Sequence, residues 1–219
     1  MRMISQQFAG IDVCASGFMV VCLRSTMKDA KPRVEWTDNV PLSGLEGLVS
    51  RLKRVKRIAI DAPEDLSTGR HSRQTSLSRK FRNARCCEIA AGQELGVWVP
   101  FPTPKAMKSA GYWMQTGFKL WKLLKAKGHK PLETYPAGCF YLLNAKKWPP
   151  KKQSPEGLHW RAEKLCEYIE RPTNIEAWGH DSLDAAIAAL IAFWGEKCLV
   201  ACHDTAGCDS SQLWLPRQR

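Results

Sequence analysis

Apolar residues set the rhythm of this chain from its eighth position. Phe8 to Cys14 ("FAGIDVC") is apolar except for Asp12, and "GFMVVCL" resumes the pattern after Ala15, Ser16 and Gly17. That spacing predicts two strands joined by a tight turn. "RVEWTDNV" alternates and supplies a third neighbour, which makes a β-meander. The period then changes. Leu45, Leu48, Val49 and Leu52 recur at helical intervals over residues 43–54, as an amphipathic helix requires. "RIAIDAP" returns to a short buried strand ending at Asp61, with Pro63 as its stop.

The second half alternates in the same way. Residues 64–82 are polar and lead into a helix around "FRNARCCEIA". "GVWVPFPTP" is a proline-rich connection. A helix from about Pro104 to Lys127 ends at Gly128. "KPLETYP" is a short strand carrying Glu133, and Pro136 suits the first turn of the helix "AGCFYLL". Ser154 and Pro155 open "SPEGLHWRAEKLCEYIE" as cap and first helical residue. "HDSLDAAIAALIAFW", residues 180–194, is a helix with an acidic start and an unbroken apolar body. Meander, helix, strand, helices, strand, helices together predict an α/β domain over residues 1–202. Its sheet has an antiparallel edge and a parallel part, with helices on both faces. Residues 203–219 read as a loose C-terminal tail.

Composition sharpens this picture. With 44% hydrophobic and 25% charged residues over 219 positions, the chain is globular and long enough for one core. The net charge of +12 favours a polyanionic partner such as nucleic acid. No stretch reaches the roughly 18 apolar residues of a membrane helix, so no membrane association is expected. The N-terminus has no secretory pattern. Nine cysteines, an odd number scattered through apolar segments, fit reduced core thiols and a cytoplasmic location. "CLVACHDTAGC" places Cys198, Cys202, His203 and Cys208 together, but the spacing fits no common zinc knuckle.

The acids carry the chemistry. Asp12, Asp61 and Glu133 each interrupt a segment that otherwise wants burial. A buried unpaired carboxylate costs several kcal/mol. Salt bridges could serve each acid singly, but one or two divalent cations would satisfy all three, and oxygen-only donors select Mg²⁺ or Mn²⁺. Asp181 and Asp184 project from one face of the final helix's first turn. Taken alone they read as a cap, with Asp181 at the N-cap and Asp184 three residues on. With three strand acids upstream, the metal reading gains. A carboxylate-bound Mg²⁺ or Mn²⁺ pair about 4 Å apart can activate water against a phosphodiester, while basic loops at residues 70–85 and 146–152 grip its backbone.

These segments also resemble a known family. "GIDVCASG", "AIDAP", "RCCE", "ETYPAGCFYLL", "KKQSPEGLHWRAEKL" and "HDSLDAAIAAL" look like the domain-of-unknown-function 429 family, described as predicted nucleases of the ribonuclease H-like fold, and are similar to RuvC-like resolvases. The resemblance implies a mixed five-stranded sheet and a metal-dependent endonuclease acting on DNA or RNA. Asp12, Asp61, Asp181 and Asp184 become the metal ligands, and Glu133 a fifth catalytic acid. Arg85, Glu88, Lys152 and Arg161 match positions in the family's other motifs, but the resemblance does not fix their roles. The basic residues read as phosphate contacts and Glu88 as an ion-pair or peripheral metal residue, with an i, i+3 helix pair between Arg85 and Glu88 the equal alternative. RuvC-like resolvases work as dimers, so a homodimer is one arrangement it implies. Such enzymes carry a glutamate where this chain has Asp61. His180 reads as a phosphate donor or a turn residue. Two other functions stay open: a nucleic-acid-binding module with a vestigial site, and an actin-like ATPase or kinase relative.

Overall fold

Strand β1 (Gln6–Val13) lies at the centre because both of its faces have an apolar partner. Ala9, Ile11 and Val13 enter one core, while Phe8 enters the other, as strand alternation dictates. β2 (Gly17–Ser25) and β3 (Arg33–Pro41) follow as the antiparallel meander. β4 (Arg57–Asp61) pairs with β1 on its other side and is parallel to it, and the two-residue β5 (Leu132–Glu133) adds to β4 in parallel. The strand order is β3-β2-β1-β4-β5. This mixed five-stranded sheet carries helices on both faces. The computed structural model describes residues 5–26, 30–202 and 208–217.

Helices α1 (Leu45–Arg51) and α3 (Tyr112–Ala126) cover one face through Leu48, Val49, Leu120, Trp121 and Leu124. The other face takes α2 (Cys86–Leu95), α4 (Pro136–Leu143), α5 (Pro155–Cys166) and α6 (His180–Trp194). α6 lies directly on β1. A Cβ placed at Gly10 would come within 2.0 Å of the Ala185 carbonyl oxygen and 2.1 Å of the Ala189 nitrogen. The missing side chain, with the alanines of "AAIAA" opposite it, lets helix and strand backbones touch. Asp12 is two residues beyond Gly10 on the same strand face, so this contact fixes its distance from the start of α6.

Several boundaries differ from those predicted. α3 begins at Tyr112, not Pro104; a 3₁₀ turn at Met107–Ser109 precedes it, and Gly111 is its N-cap. α2 begins only at Cys86. Arg85 is its extended N-cap, and the Glu88 side chain returns to the Arg85 nitrogen at 2.9 Å to close the first turn. Ser154 and Pro155 open α5 as expected, with Ser154 Oγ accepting from the Gly157 nitrogen at 3.0 Å.

The C-terminal segment is not loose throughout. β6 (Leu199–Ala201) pairs antiparallel with β7 (Leu213–Leu215), and Leu213 and Leu215 are buried in the core beside α2 and α4. Three apolar residues near a terminus give too short a pattern to announce a strand, yet they fill a gap beside β5, where Thr134 Oγ1 donates to the Trp214 carbonyl at 2.8 Å. Residues 203–207 and 218–219 of that tail, His203 among them, lie outside the described residues. Among the described residues, no helix is long and apolar enough to cross a membrane.

Candidate active site

The carboxyl ends of β1 and β4 meet at a pair of acids. Asp12 and Asp61 are register partners across the parallel ladder, so their side chains leave the same face together. A hydrogen bond joins them. Burial pushes the Asp12 carboxyl far above the usual range, and the charges of Asp61, Asp184 and Asp181 push it further. Asp61 is also raised, by burial and then by Asp184. Two carboxylates this close cannot both ionise cheaply.

Helix α6 adds the other aspartates, and neither of them caps it. Gly179 is the N-cap, extended and without a side-chain bond, so the helix opens two residues earlier than the capping reading requires. Asp181 sits in the first turn, partly exposed, with its Oδ1 2.9 Å from His180 Nε2. His180 is the first helical residue. Asp184 lies one turn deeper and is 2% exposed. Its two oxygens are already taken: Arg161 Nη1 donates to Oδ1 at 2.5 Å and Lys152 Nζ to Oδ2 at 3.1 Å. Burial works against the charge on Lys152, but Asp184, followed by Asp12 and Asp61, outweighs it and the ammonium pKa rises.

Two of the basic residues expected on nucleic acid take other parts. Arg161 is 3% exposed, stacked 4.5 Å from the Phe140 ring and aimed at Asp184. Its Nε has no partner among the described residues. Arg85 is 1% exposed. Its guanidinium grips both oxygens of Glu133, with Nη1 to Oε2 at 2.6 Å, and also reaches Glu88 at 3.2 Å. Phosphate has no route to a guanidinium enclosed in this way. Glu133 is also set apart from the aspartates. It pairs with Ile60, one residue short of Asp61, which puts its side chain out of step with the Asp12–Asp61 pair. Its Oε2 also accepts from the Glu64 nitrogen at 2.9 Å. Glu88 is held by Arg85 and by Thr103, whose Oγ1 donates to it at 2.6 Å. Glu133 thus spends its charge on Arg85 while lining the same cavity as Asp12 and Asp61. Lys152 alone of the three is accessible, with 44% of its side chain exposed.

A cavity of about 550 Å³ opens over the aspartates. Asp12, Asp61, Asp181 and Lys152 form its polar wall; Trp113 and Phe101 form an aromatic side, and Phe101 is 70% exposed at the mouth. Asp12 and Asp61 offer donors of the oxygen type a hard divalent cation takes. Among the described residues, however, no three of these acids bring their ligand atoms within 4.8 Å of one another, so Asp181 or Asp184 would have to move inward to complete a shell. Arg161 and Lys152 are both spent on Asp184, and His180 stands beside Asp181, so among the described residues no ion pair neutralises Asp12 or Asp61. That pair is where a cation would bind, since Mg²⁺ or Mn²⁺ takes oxygen ligands and would displace a proton held there. Asp12 and Asp61 would be the inner ligands and Asp181 the ligand at the rim. Asp184 could join only by giving up Lys152. Sequence reasoning missed the pairing of Lys152 and Arg161 with Asp184. These residues are 32 and 23 positions apart, with no local pattern to link them.

A family model described as "Protein of unknown function (DUF429)" matches residues 10–205. Among solved structures, a Thermus thermophilus RuvC structure aligns with a TM-score of 0.47 at 14% identity, covering 87% of this chain and 96% of that one. No curated protein matches.

Proposed function

The chain belongs to the protein family of unknown function DUF429, and we propose that it is a metal-dependent nuclease whose centre is the Asp12–Asp61 pair. The single observation behind this reading is that pair: two acids in register on adjacent parallel strand ends, opening into one cavity with no basic partner of their own among the described residues. An Mg²⁺ or Mn²⁺ ion bound there would supply Lewis acidity towards a phosphodiester and its attacking water. The chain's own residues do the rest. Lys152, held charged by Asp184, reaches the cavity wall and can contact a phosphate oxygen. Arg161 holds Asp184 from the buried side, so Lys152 keeps its aim. Trp113 and Phe101 offer flat apolar surface to a base or sugar. The exposed Lys146, Lys147 and Lys151 beside Lys152 extend the positive face along which a backbone can lie. Nucleic acid is the proposed partner, and a homodimer remains a proposal on the resemblance alone.

One observation favours a second reading, a nucleic-acid-binding module with a vestigial centre: both oxygens of Asp184 are occupied by cations. A panel of labelled linear and branched DNA and RNA, incubated with Mn²⁺, separates the two. Cleavage by the wild type that disappears in Asp12→Asn supports the nuclease. Binding without cleavage on every substrate and metal supports the module.

A further inference from the structure

Away from the aspartates, one group of three metal-ligating side chains among the described residues has its donor atoms converged. His71 sits in the polar loop before α2, Cys86 is the first residue of α2, and Cys208 belongs to the C-terminal segment. One ligand atom from each comes within 4.8 Å of the others, and His71 Nε2 is 3.3 Å from Cys86 Sγ. We propose that these three residues form a second metal site, selective for zinc, which ties the C-terminal segment to the loop that carries Arg85.

The geometry suits zinc. Ligands about 2.0–2.3 Å from a tetrahedral ion lie roughly 3.3–3.8 Å apart, so the cluster needs only a small contraction. The histidine is oriented as a ligand: its Nδ1 bonds Gln74 Oε1 at 2.9 Å, which turns Nε2 towards the sulfurs. Cys86 stands at the positive end of a ten-residue helix, but burial and its contact with Cys208 hold the thiol up, so binding a metal would have to displace the proton. The segment after Cys208 is laid across the same helix end. Asp209 Oδ2 accepts from the Cys86 nitrogen and Ser211 Oγ from the Cys87 nitrogen, each at 3.4 Å. Two sulfurs and an imidazole make a soft donor set, unlike the aspartate pocket, so the two sites would sort different metals. Water completes the four-coordinate shell. The cluster also replaces the one suggested by the run "CLVACHDTAGC": Cys208 joins residues distant in sequence, while Cys198 is buried with its thiol towards the Ile191 carbonyl.

The consequence is mechanical. Cys86 is bonded to Arg85, the residue that neutralises Glu133 and Glu88 in the wall of the cavity. A metal bond at Cys86 would pin that wall to the C-terminal segment.

Cobalt substitution tests the site without any nuclease assay. The full chain, kept reduced, is titrated with Co²⁺. The expected result is one equivalent giving a thiolate-to-cobalt band in the near ultraviolet and intense visible bands of a tetrahedral ion, displaced by Zn²⁺ and not by Mg²⁺. Cys86→Ser and Cys208→Ser should weaken Co²⁺ binding more than tenfold, and His71→Asn should alter the visible bands. Cys166→Ser, on α5, should change nothing. Zn²⁺ should raise the melting temperature of the wild type and not that of Cys208→Ser, a variant close enough to the terminus to leave the core folded. The proposal is overturned by a wild type without the thiolate band, by a Cys208→Ser variant that keeps it, or by a Cys86–Cys208 disulfide that persists in reductant.

Discussion

Asp12 and Asp61 face each other across adjacent parallel strands, and burial and neighbouring acids hold both carboxyls above their usual range. Neither has a basic partner of its own. The nearest cations, Lys152 and Arg161, are committed to Asp184. If the proposed cation binds here, the sheet ends in a site that is strained without it and relieved by it. That is the usual cost of holding a functional centre in place.

Replacing Asp12 by asparagine removes one of the two like charges and keeps a hydrogen bond to Asp61. In the absence of metal, Asp12→Asn should be more stable than wild type at neutral pH by on the order of 1–2 kcal/mol, a rise of several degrees in melting temperature for a chain of this size. The same variant should lose Mn²⁺-dependent cleavage by more than about 100-fold, since loss of a ligand exceeds the effect of losing its outer support. Thermal denaturation with EDTA and cleavage with Mn²⁺ check the two halves separately. A variant less stable than wild type would make the pair structural.

The pair also fixes the sign of a pH effect. Both acids have folded-state pKa values above their unfolded ones. Below about pH 4 both states are protonated and the pair carries no penalty. As pH rises from there through neutrality the unfolded chain releases protons that the folded protein retains, so this contribution to stability falls, by at most about 1.4 kcal/mol per pH unit for each proton retained. Ion-paired acids elsewhere, such as Glu163 and Glu176 against Arg171, have lowered values and act in the opposite sense. The difference between wild type and Asp12→Asn isolates the site. That difference should widen from pH 5 to pH 8 in EDTA and close on addition of Mg²⁺, as followed by melting temperature.

The sequence made part of this site legible, and its limits have physical causes. Asp12 and Asp61 could be found because an acid inside an apolar strand breaks a pattern of period two. Asp181 and Asp184 could be found because a helix with an apolar body leaves its first turn conspicuous. The antiparallel meander followed from the same alternation, whereas the place of β4 beside β1 did not. The sequence did not reveal which acids already had partners. Glu133 also breaks an apolar strand, but whether Arg85 covers it depends on a contact across 48 residues. The same blindness assigned Arg85 and Arg161 to phosphate: a basic residue in a motif reads alike whether it faces solvent or a buried carboxylate. The small strand β7 escaped because three residues cannot display a period.

Asp184 separates the roles of its two cations. Arg161→Met leaves a buried carboxylate with only the half-exposed Lys152, and should cost about 3–5 kcal/mol, as for a broken buried pair. Lys152→Ala leaves the Arg161 bond in place and should cost about 1 kcal/mol or less, while weakening nucleic-acid binding and flattening its salt dependence. Combining Arg161→Met with Asp184→Leu should recover part of the loss, because no orphaned charge remains. Denaturant titrations of the three variants, with binding measured at two salt concentrations, check the division. Equal stability losses for Arg161→Met and Lys152→Ala would refute it.

Gly10 controls the distance between the strand acids and the helix acids. A methyl group there meets the backbone of Ala185 and Ala189 at about 2 Å, and backbone atoms cannot rotate aside. Gly10→Ala must push α6 off β1, and with it Asp181 and Asp184 away from Asp12. The expected cost is at least about 1–3 kcal/mol, the range for overpacking in a close-packed core. Cleavage and Mn²⁺ stabilisation should fall more than the loss of folded protein accounts for. Gly47→Ala is the matched control: its added carbon has nothing within 4 Å and sits in α1, where alanine should stabilise by about 0.5–1 kcal/mol. Denaturation and Mn²⁺ titration of both variants give the comparison. If Gly10→Ala folds with wild-type stability and wild-type Mn²⁺ response, then α6 is not held on β1 as described, and the alignment of the four aspartates rests on something other than this contact.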